Sequence, residues 1–151
     1  AALASHSKEE PSTIVAITDN IENDGNWHHI AATWNTSSNR LVIYLDGVLK
    51  ASSSTTLGAF SGSPSLFDIG QNTADAGFFN GGVSNAAVFN TEVPITDLWV
   101  ENQSPLDLSG LSGLVGYWKF NEGAGSTAFD SSGEGNNATL FNSPAWITDT
   151  P

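Results

Sequence analysis

Asp24-Gly25-Asn26-Trp27-His28-His29-Ile30-Ala31-Ala32-Thr33-Trp34 and, after a polar gap, Leu41-Val42-Ile43-Tyr44-Leu45-Asp46-Gly47-Val48-Leu49 decide the fold. Both runs alternate with a period of two, the signature of strands with one face packed and the other open. His28, Ile30, Ala32 and Trp34 fall on one face, and His29, Ala31 and Thr33 on the other. Leu41, Ile43 and Leu45 share a face, opposed by Val42 and Tyr44. Asp46-Gly47 suits a two-residue type I′ hairpin, whose central residues both need positive φ. The quoted stretch therefore predicts two strands, a tight hairpin and a third strand returning over residues 48–52.

Outward from it, the rest of the chain is written in the same style. Short alternating runs predict strands over residues 13–18, 65–69, 82–89, 114–120 and 138–141, separated by Gly, Ser, Asn and Asp. Residues 20–26 predict a turn and 35–39 a polar loop. Only residues 95–100 suggest a turn of helix, with Thr96 as its N-cap. Residues 94–113 carry two prolines and end in Leu-Ser-Gly-Leu-Ser-Gly, the composition of a linker or long connection. The expected class is all-β: an antiparallel β-sandwich.

Composition narrows the function classes. The chain has 151 residues, enough for one sizeable core. Sixteen acidic residues against four basic ones give a net charge of −12. Such a surface repels phosphate backbones and anionic lipid, so neither a nucleic acid nor a membrane surface is an expected partner. With no cysteine, disulfides and thiolate metal sites are excluded. No apolar run approaches the roughly 18 residues of a membrane span, and no basic stretch followed by an apolar core opens the chain. A chain starting at Ala1 is expected to be a processed product or an excerpt of something longer.

Several runs resemble laminin-G-like jelly rolls of the concanavalin A-like superfamily. The opening stretch resembles "DGxWHHVAxTW…LYxDGxL". Phe67-Asp68-Ile69-Gly70 resembles the "LxIG" strand, and residues 79–90, Phe-Asn-Gly-Gly-Val-Ser-Asn-Ala-Ala-Val-Phe-Asn, the final "FxGxIDxVxIYN" strand. Residues 113–125, from Gly113-Leu114-Val115-Gly116-Tyr117-Trp118-Lys119-Phe120 to Gly125, match "LVxYWxFDEGxG", and Asp130-Ser131-Ser132-Gly133-Glu134-Gly135-Asn136-Asn137 matches "DSSGNGND". The order is inverted. Residues 1–93 resemble the C-terminal half of such a domain and 114–151 its N-terminal portion. Either the chain is cut from a tandem array or the sandwich is permuted, with 114–120 pairing 82–89 across the 94–113 connection. Strands missing from the middle leave edges to be completed by self-association or by another structural protein.

Four kinds of residue can carry function. Asp130, Asn136 and Asn137, and separately Asp19, Asn20, Asn23 and Asp24, offer oxygen in Gly-rich turns. The resemblance implies a Ca²⁺ at a sandwich edge; Asp130, Asn136 and Asp24 are the candidate ligands here, although such residues also make Asx turns unaided. The family's acidic pair in its last strand is Ser84-Asn85 here. Adjacent strand histidines point to opposite faces, so His28 and His29 are expected to be structural. Trp27, Trp34, Trp118 and Phe120 read as core. Phe78, Phe79, Trp99 and Trp146 lie near glycine, proline or loops, where a ring stacks on a sugar, enters an interface or anchors the last strand. Phe78, Phe79 and Trp146 are the candidate glycan contacts.

Catalysis is not expected. Related hydrolases set two carboxylates about 5 Å apart on one strand, and no Glu-x-Asp-x-x-Glu pattern occurs here. Gly-x-Ser-x-Gly and P-loop patterns are likewise absent from the sequence. The expected function is a non-catalytic structural or adhesion module of a virion, such as a tail fibre or capsid-associated protein, or of an extracellular surface filament in contact with cell-surface glycan. The alternative is a carbohydrate-binding module of a secreted polysaccharide-degrading enzyme.

Overall fold

The computed structural model of the chain describes residues 3–4, 24–35, 37–38, 40–53, 67–72, 77–101, 106–148 and 151. The strand expected over 13–18 and the candidate ligands Asp19, Asn20 and Asn23 lie outside them. Contacts divide the chain into two compact units, residues 1–80 and 81–151.

In the first unit, β1 (Leu3–Ala4) pairs with β5 (Asp68–Ile69), and β6 (Gln71–Asn72) with β7 (Gly77–Phe78), both antiparallel. Between them β2 (Ile30–Asn35), β3 (Arg40–Leu45) and β4 (Val48–Ser53) form an antiparallel meander. Asp46 and Gly47 both take positive φ, 49° and 72°, as a type I′ turn demands. The Asn35 side chain closes the other turn by accepting the Ser38 N–H at 3.0 Å. Register places Thr33 opposite Val42 and Ala31 opposite Tyr44. Val42, Ala31 and Leu45 are buried. Trp34 departs from the expected core position: it is 37% exposed at the far end of β2.

Among the described residues β4 is an outer strand of this meander, and its edge is guarded. Ile43 faces Ala51 and Tyr44 faces Leu49, so Lys50 is the extra residue of a β-bulge on β4. A bulge carrying one of only four basic side chains twists and charges a strand edge, which disfavours pairing with another chain there.

In the second unit, β8 (Ala86–Phe89) pairs antiparallel with β9 (Leu114–Trp118). The expected strand over 82–89 begins only at Ala86, because Asn85 sits at φ 52° and breaks the extended run. Likewise the strand expected to reach residue 120 stops at Trp118, with Phe120 at φ 55°. The helical turn α1 spans Ile95–Leu98. Its N-cap is Pro94, without a side-chain cap, so Thr96 does not cap it and instead lies inside the turn. β10 (Thr127–Ala128), which alternation did not signal, pairs with β11 (Ala138–Thr139), the part of the expected 138–141 strand that forms.

A second bulge builds the core. Val88 faces Gly116 but Phe89 faces Leu114, leaving Val115 as the extra residue of β9. Residues three apart on a regular strand lie on opposite faces; the bulge cancels one step. Leu114 and Tyr117 therefore meet in one cluster with Leu108, against which Ala87, Phe89, Leu98, Leu106 and Leu111 pack. Segment 94–113 thus contributes Leu98, Leu106, Leu108 and Leu111 to this core. Gly116 is required by close approach: a Cβ there would stand 2.5 Å from Cη2 of Trp118.

Candidate functional site

Three places hold the residues singled out from sequence. The first is the Asp46-Gly47 hairpin. His28 Nδ1 lies 2.7 Å from Asp46 Oδ2, and His28 Nε2 lies 3.2 Å from Asp24 Oδ1. The other Asp46 oxygen accepts the His29 N–H at 2.8 Å, and the Asp46 N–H donates to the His29 carbonyl. Carboxylate oxygen at both ring nitrogens favours the imidazolium, which donates from both. The hydrogen bond to Asp46, then that to Asp24, raises the His28 pKa above 6.5, against a smaller effect of burial. Burial pushes His29 the other way. Asp24 is held below the usual carboxylate range, first by the Asn26 N–H and side-chain amide, and last by His28. Asp24 is therefore engaged in an Asx turn and an ion pair. Sequence reasoning read Asp46 only as a turn residue; its partner lies 18 positions away in the chain.

This clamp has a pH signature. A raised histidine pKa contributes stability that is full below the unfolded value, 6.5, and is lost as pH rises through the folded value. The depressed Asp24 contributes above its ordinary 3.8 and loses that contribution in acid. The clamp's own contribution is expected to be fullest between 3.8 and 6.5 and to weaken above that window, while the lowered His29 acts in the opposite sense and costs stability only as pH falls below 6.5. His28→Gln should flatten the alkaline limb. Urea melts across pH, read with the His28 ring resonances, check this; a wild-type profile unchanged above 6.5 would contradict it.

The second place is the loop over residues 130–137. Asp130 Oδ1 accepts the N–H groups of Tyr117 and Ser132, and Oδ2 accepts the Asn136 N–H and the Ser132 hydroxyl, all at 2.8 Å. The Ser131 N–H donates to the Tyr117 carbonyl at 2.7 Å, and the Asn136 side-chain amide donates to the Val115 carbonyl at 2.7 Å. Trp118 Nε1 donates to the Asn136 carbonyl. The Asp130 and Asn136 side chains, with the Ser131 N–H and an antiparallel bridge of Asp130 to Trp118, thus take the place of a neighbouring strand along the β9 edge. Burial alone would raise the Asp130 pKa; the N–H groups of Ser132, Tyr117 and Asn136 and the Ser132 hydroxyl outweigh it and bring the value down to about 2.

That donor set bears on calcium. Each Asp130 oxygen already accepts two hydrogens, which uses its lone pairs, and Asn136 turns its amide NH₂ toward Val115. Ca²⁺ takes about six to eight oxygens, so these residues as placed do not fit it. Asp24 belongs to the first unit, and Asp130 and Asn136 to the second. Among the described residues no group of three or more His, Asp or Glu is arranged for a metal.

The third place is aromatic. Phe78 and Phe79 are 63% and 50% exposed, on a backbone held by β6–β7 pairing and by the Phe79 N–H bond to the Gly70 carbonyl at 2.8 Å. Trp146 is half-buried, its Nε1 donating to the Gly125 carbonyl at 3.0 Å. The structure adds Phe129 and Phe141, both well exposed and flanking β10 and β11. Neither stood out in sequence, since a lone Phe beside a strand reads as core. Trp118 is buried as expected, whereas Trp27 and Phe120 are only half-buried. A cleft of about 260 Å³ lined by Thr91, Glu92, Val93, Asp97 and Leu111 contains no aromatic ring and no histidine.

The laminin-G family model, described as the concanavalin A-like lectin/glucanases superfamily, matches residues 2–97. The chain belongs to this family. The match runs from before β1 through β8 and most of α1. No curated protein matches the chain, and no solved structure does. The all-β, antiparallel architecture agrees with a concanavalin A-like sandwich. Laminin-G-like domains are generally binding modules without catalytic activity and are typically extracellular, which suits a carbohydrate- or adhesion-binding role. Among the described residues no helix is long and apolar enough to cross a membrane.

Proposed function

We propose that this laminin-G-family chain is a non-catalytic adhesion or assembly module working outside cells, on a virion or surface filament, and contacting glycan through Phe78 and Phe79. The observation that carries the reading is the exposure of these two consecutive rings on a backbone fixed at β7. Aromatic rings offer large, stiff contact area at low entropic cost, which suits sugar faces or a partner surface. The carboxylates of Asp130 and Asp46 accept hydrogen bonds from backbone N–H groups and from histidine, so their roles are structural. The donor set around Asp130 supports binding that does not depend on calcium.

Assembly enters through β8. Among the described residues it has β9 on one side and no strand on the other, while β9 is covered by the 130–137 loop. A second copy or another structural protein would complete that edge. The superfamily's lectin members favour a second reading, a monomeric carbohydrate-binding module of a secreted polysaccharide-degrading enzyme.

A glycan array with and without Ca²⁺, run beside mass photometry, separates the two. Oligomers with weak or broad glycan contact support the assembly module, and tight monomeric binding of one polysaccharide supports the second reading. In either case replacing Phe78 and Phe79 by alanine should weaken the glycan signal about tenfold or more, about 1.4 kcal/mol. A double variant that binds like wild type would remove these rings from the site.

A further inference from the structure

We infer that Asn80 is a site of spontaneous covalent modification, converting to aspartate and isoaspartate through a cyclic imide with Gly81. Asn80-Gly81 is the only Asn-Gly pair in the sequence, and Gly82 follows it. All three residues are exposed and lie outside any strand or helix. Among the described residues no hydrogen bond holds the Asn80 amide or the Gly81 N–H. The reaction needs both free, because the Gly81 nitrogen must swing onto the Asn80 side chain. Glycine removes the Cβ that hinders this approach and opens backbone conformations closed to other residues.

The balance is simple. The Gly81 amide nitrogen loses its proton to base and attacks Cγ of Asn80. A bond forms between nitrogen and Cγ, the bond from Cγ to Nδ2 breaks, and Nδ2 leaves as ammonia. Water then adds to one of the two imide carbonyls. Opening one way restores the main chain with an aspartate at position 80. Opening the other way routes the chain through the side-chain carbon and inserts one extra backbone atom. Either product adds one negative charge directly after Phe78-Phe79.

Five of the other described asparagines are restrained by a side-chain hydrogen bond. Asn26 donates to Asp24, Asn35 accepts from Ser38, Asn85 accepts from the Tyr117 hydroxyl, Asn136 donates to Val115, and Asn137 accepts from the Asp130 N–H. Each is followed by a residue with a side chain.

The test is incubation of the full chain in mildly alkaline and mildly acidic buffer made with heavy-oxygen water, followed by peptide mapping by mass spectrometry. Heavy oxygen should enter at Asn80 at least about tenfold faster than at any other asparagine, a difference of about 1.4 kcal/mol in barrier. It should enter faster in the alkaline buffer, with isoaspartate as one product. Gly81→Ala should slow the reaction about tenfold, and Asn80→Gln should abolish it. First reaction at another asparagine, or an unchanged rate in Gly81→Ala, would overturn the inference. The readout is independent of any glycan, so it stands or falls apart from the proposed function.

Discussion

Asp130→Ala is expected to destabilise the second unit by about 3 kcal/mol, at about 1 kcal/mol for each of several lost hydrogen bonds and more where a donor is left unmet. The carboxylate gathers four donors, three of them backbone N–H groups. One is the Tyr117 N–H, on the β9 edge away from β8. Alanine leaves that edge without its acceptor and frees the turn that holds Ser132 and Asn136. Asp130→Asn keeps one oxygen but points an NH₂ group at two donors, so it should recover less than half of the loss. The acid response adds a second readout. A carboxylate lowered from 3.8 to about 2 contributes stability above its unfolded value and loses it as pH falls toward the folded one. Wild type should therefore lose stability between pH 3.8 and about 2, and Asp130→Ala should lack that limb. Denaturant melts and exchange of the Tyr117 amide measure both. A variant that melts like wild type would refute the edge-covering role.

Tyr117→Ala is expected to cost about 3–5 kcal/mol, the range for emptying an aromatic site in a packed core. Tyr117 is 1% exposed and touches the Leu108–Leu114 cluster, while its hydroxyl donates at 3.1 Å to Asn85 Oδ1 or to the Leu106 carbonyl. Tyr117→Phe keeps the ring and should cost only about 1 kcal/mol. Lys119 adds little. Its Nζ lies 5.2 Å from the Tyr117 ring centre and 3.6 Å from Asp107, whose side chain is 68% exposed, and exposed pairs of this kind contribute about 0–1 kcal/mol. The series Tyr117→Phe, Lys119→Ala, Tyr117→Ala should therefore rank hydroxyl and ion pair far below burial. Since Leu106 and Leu108 meet this ring, exchange protection over 106–111 should fall in the alanine variant and persist in the phenylalanine one. Uniform protection in both would show that the cluster does not anchor that segment.

The two bulges show how far local pattern reaches. Alternation over 28–34 and 41–45 identified β2 and β3, and Asp46-Gly47 identified the turn between β3 and β4, since type I′ geometry is a demand on two residues alone. Nothing in Leu114-Val115-Gly116-Tyr117 announces that Val115 is extra, because a bulge is defined only against its partner strand. Trp34 shows the same limit: period two assigns a side chain to a face, but whether that face is covered depends on residues distant in sequence.

The chain's own sequence determined its class, its antiparallel hairpin, its excess of negative charge and its laminin-G membership, because propensity, turn geometry, charge and motif are local or additive. Tertiary structure alone decided what the marked polar residues do. An Asp in a Gly-rich turn serves a cation or an N–H equally well. Asp130 serves the Tyr117 N–H 13 positions away, and Asp46 serves His28 18 positions away. A carboxylate takes whichever donors folding brings to it, and chain order does not specify which ones arrive.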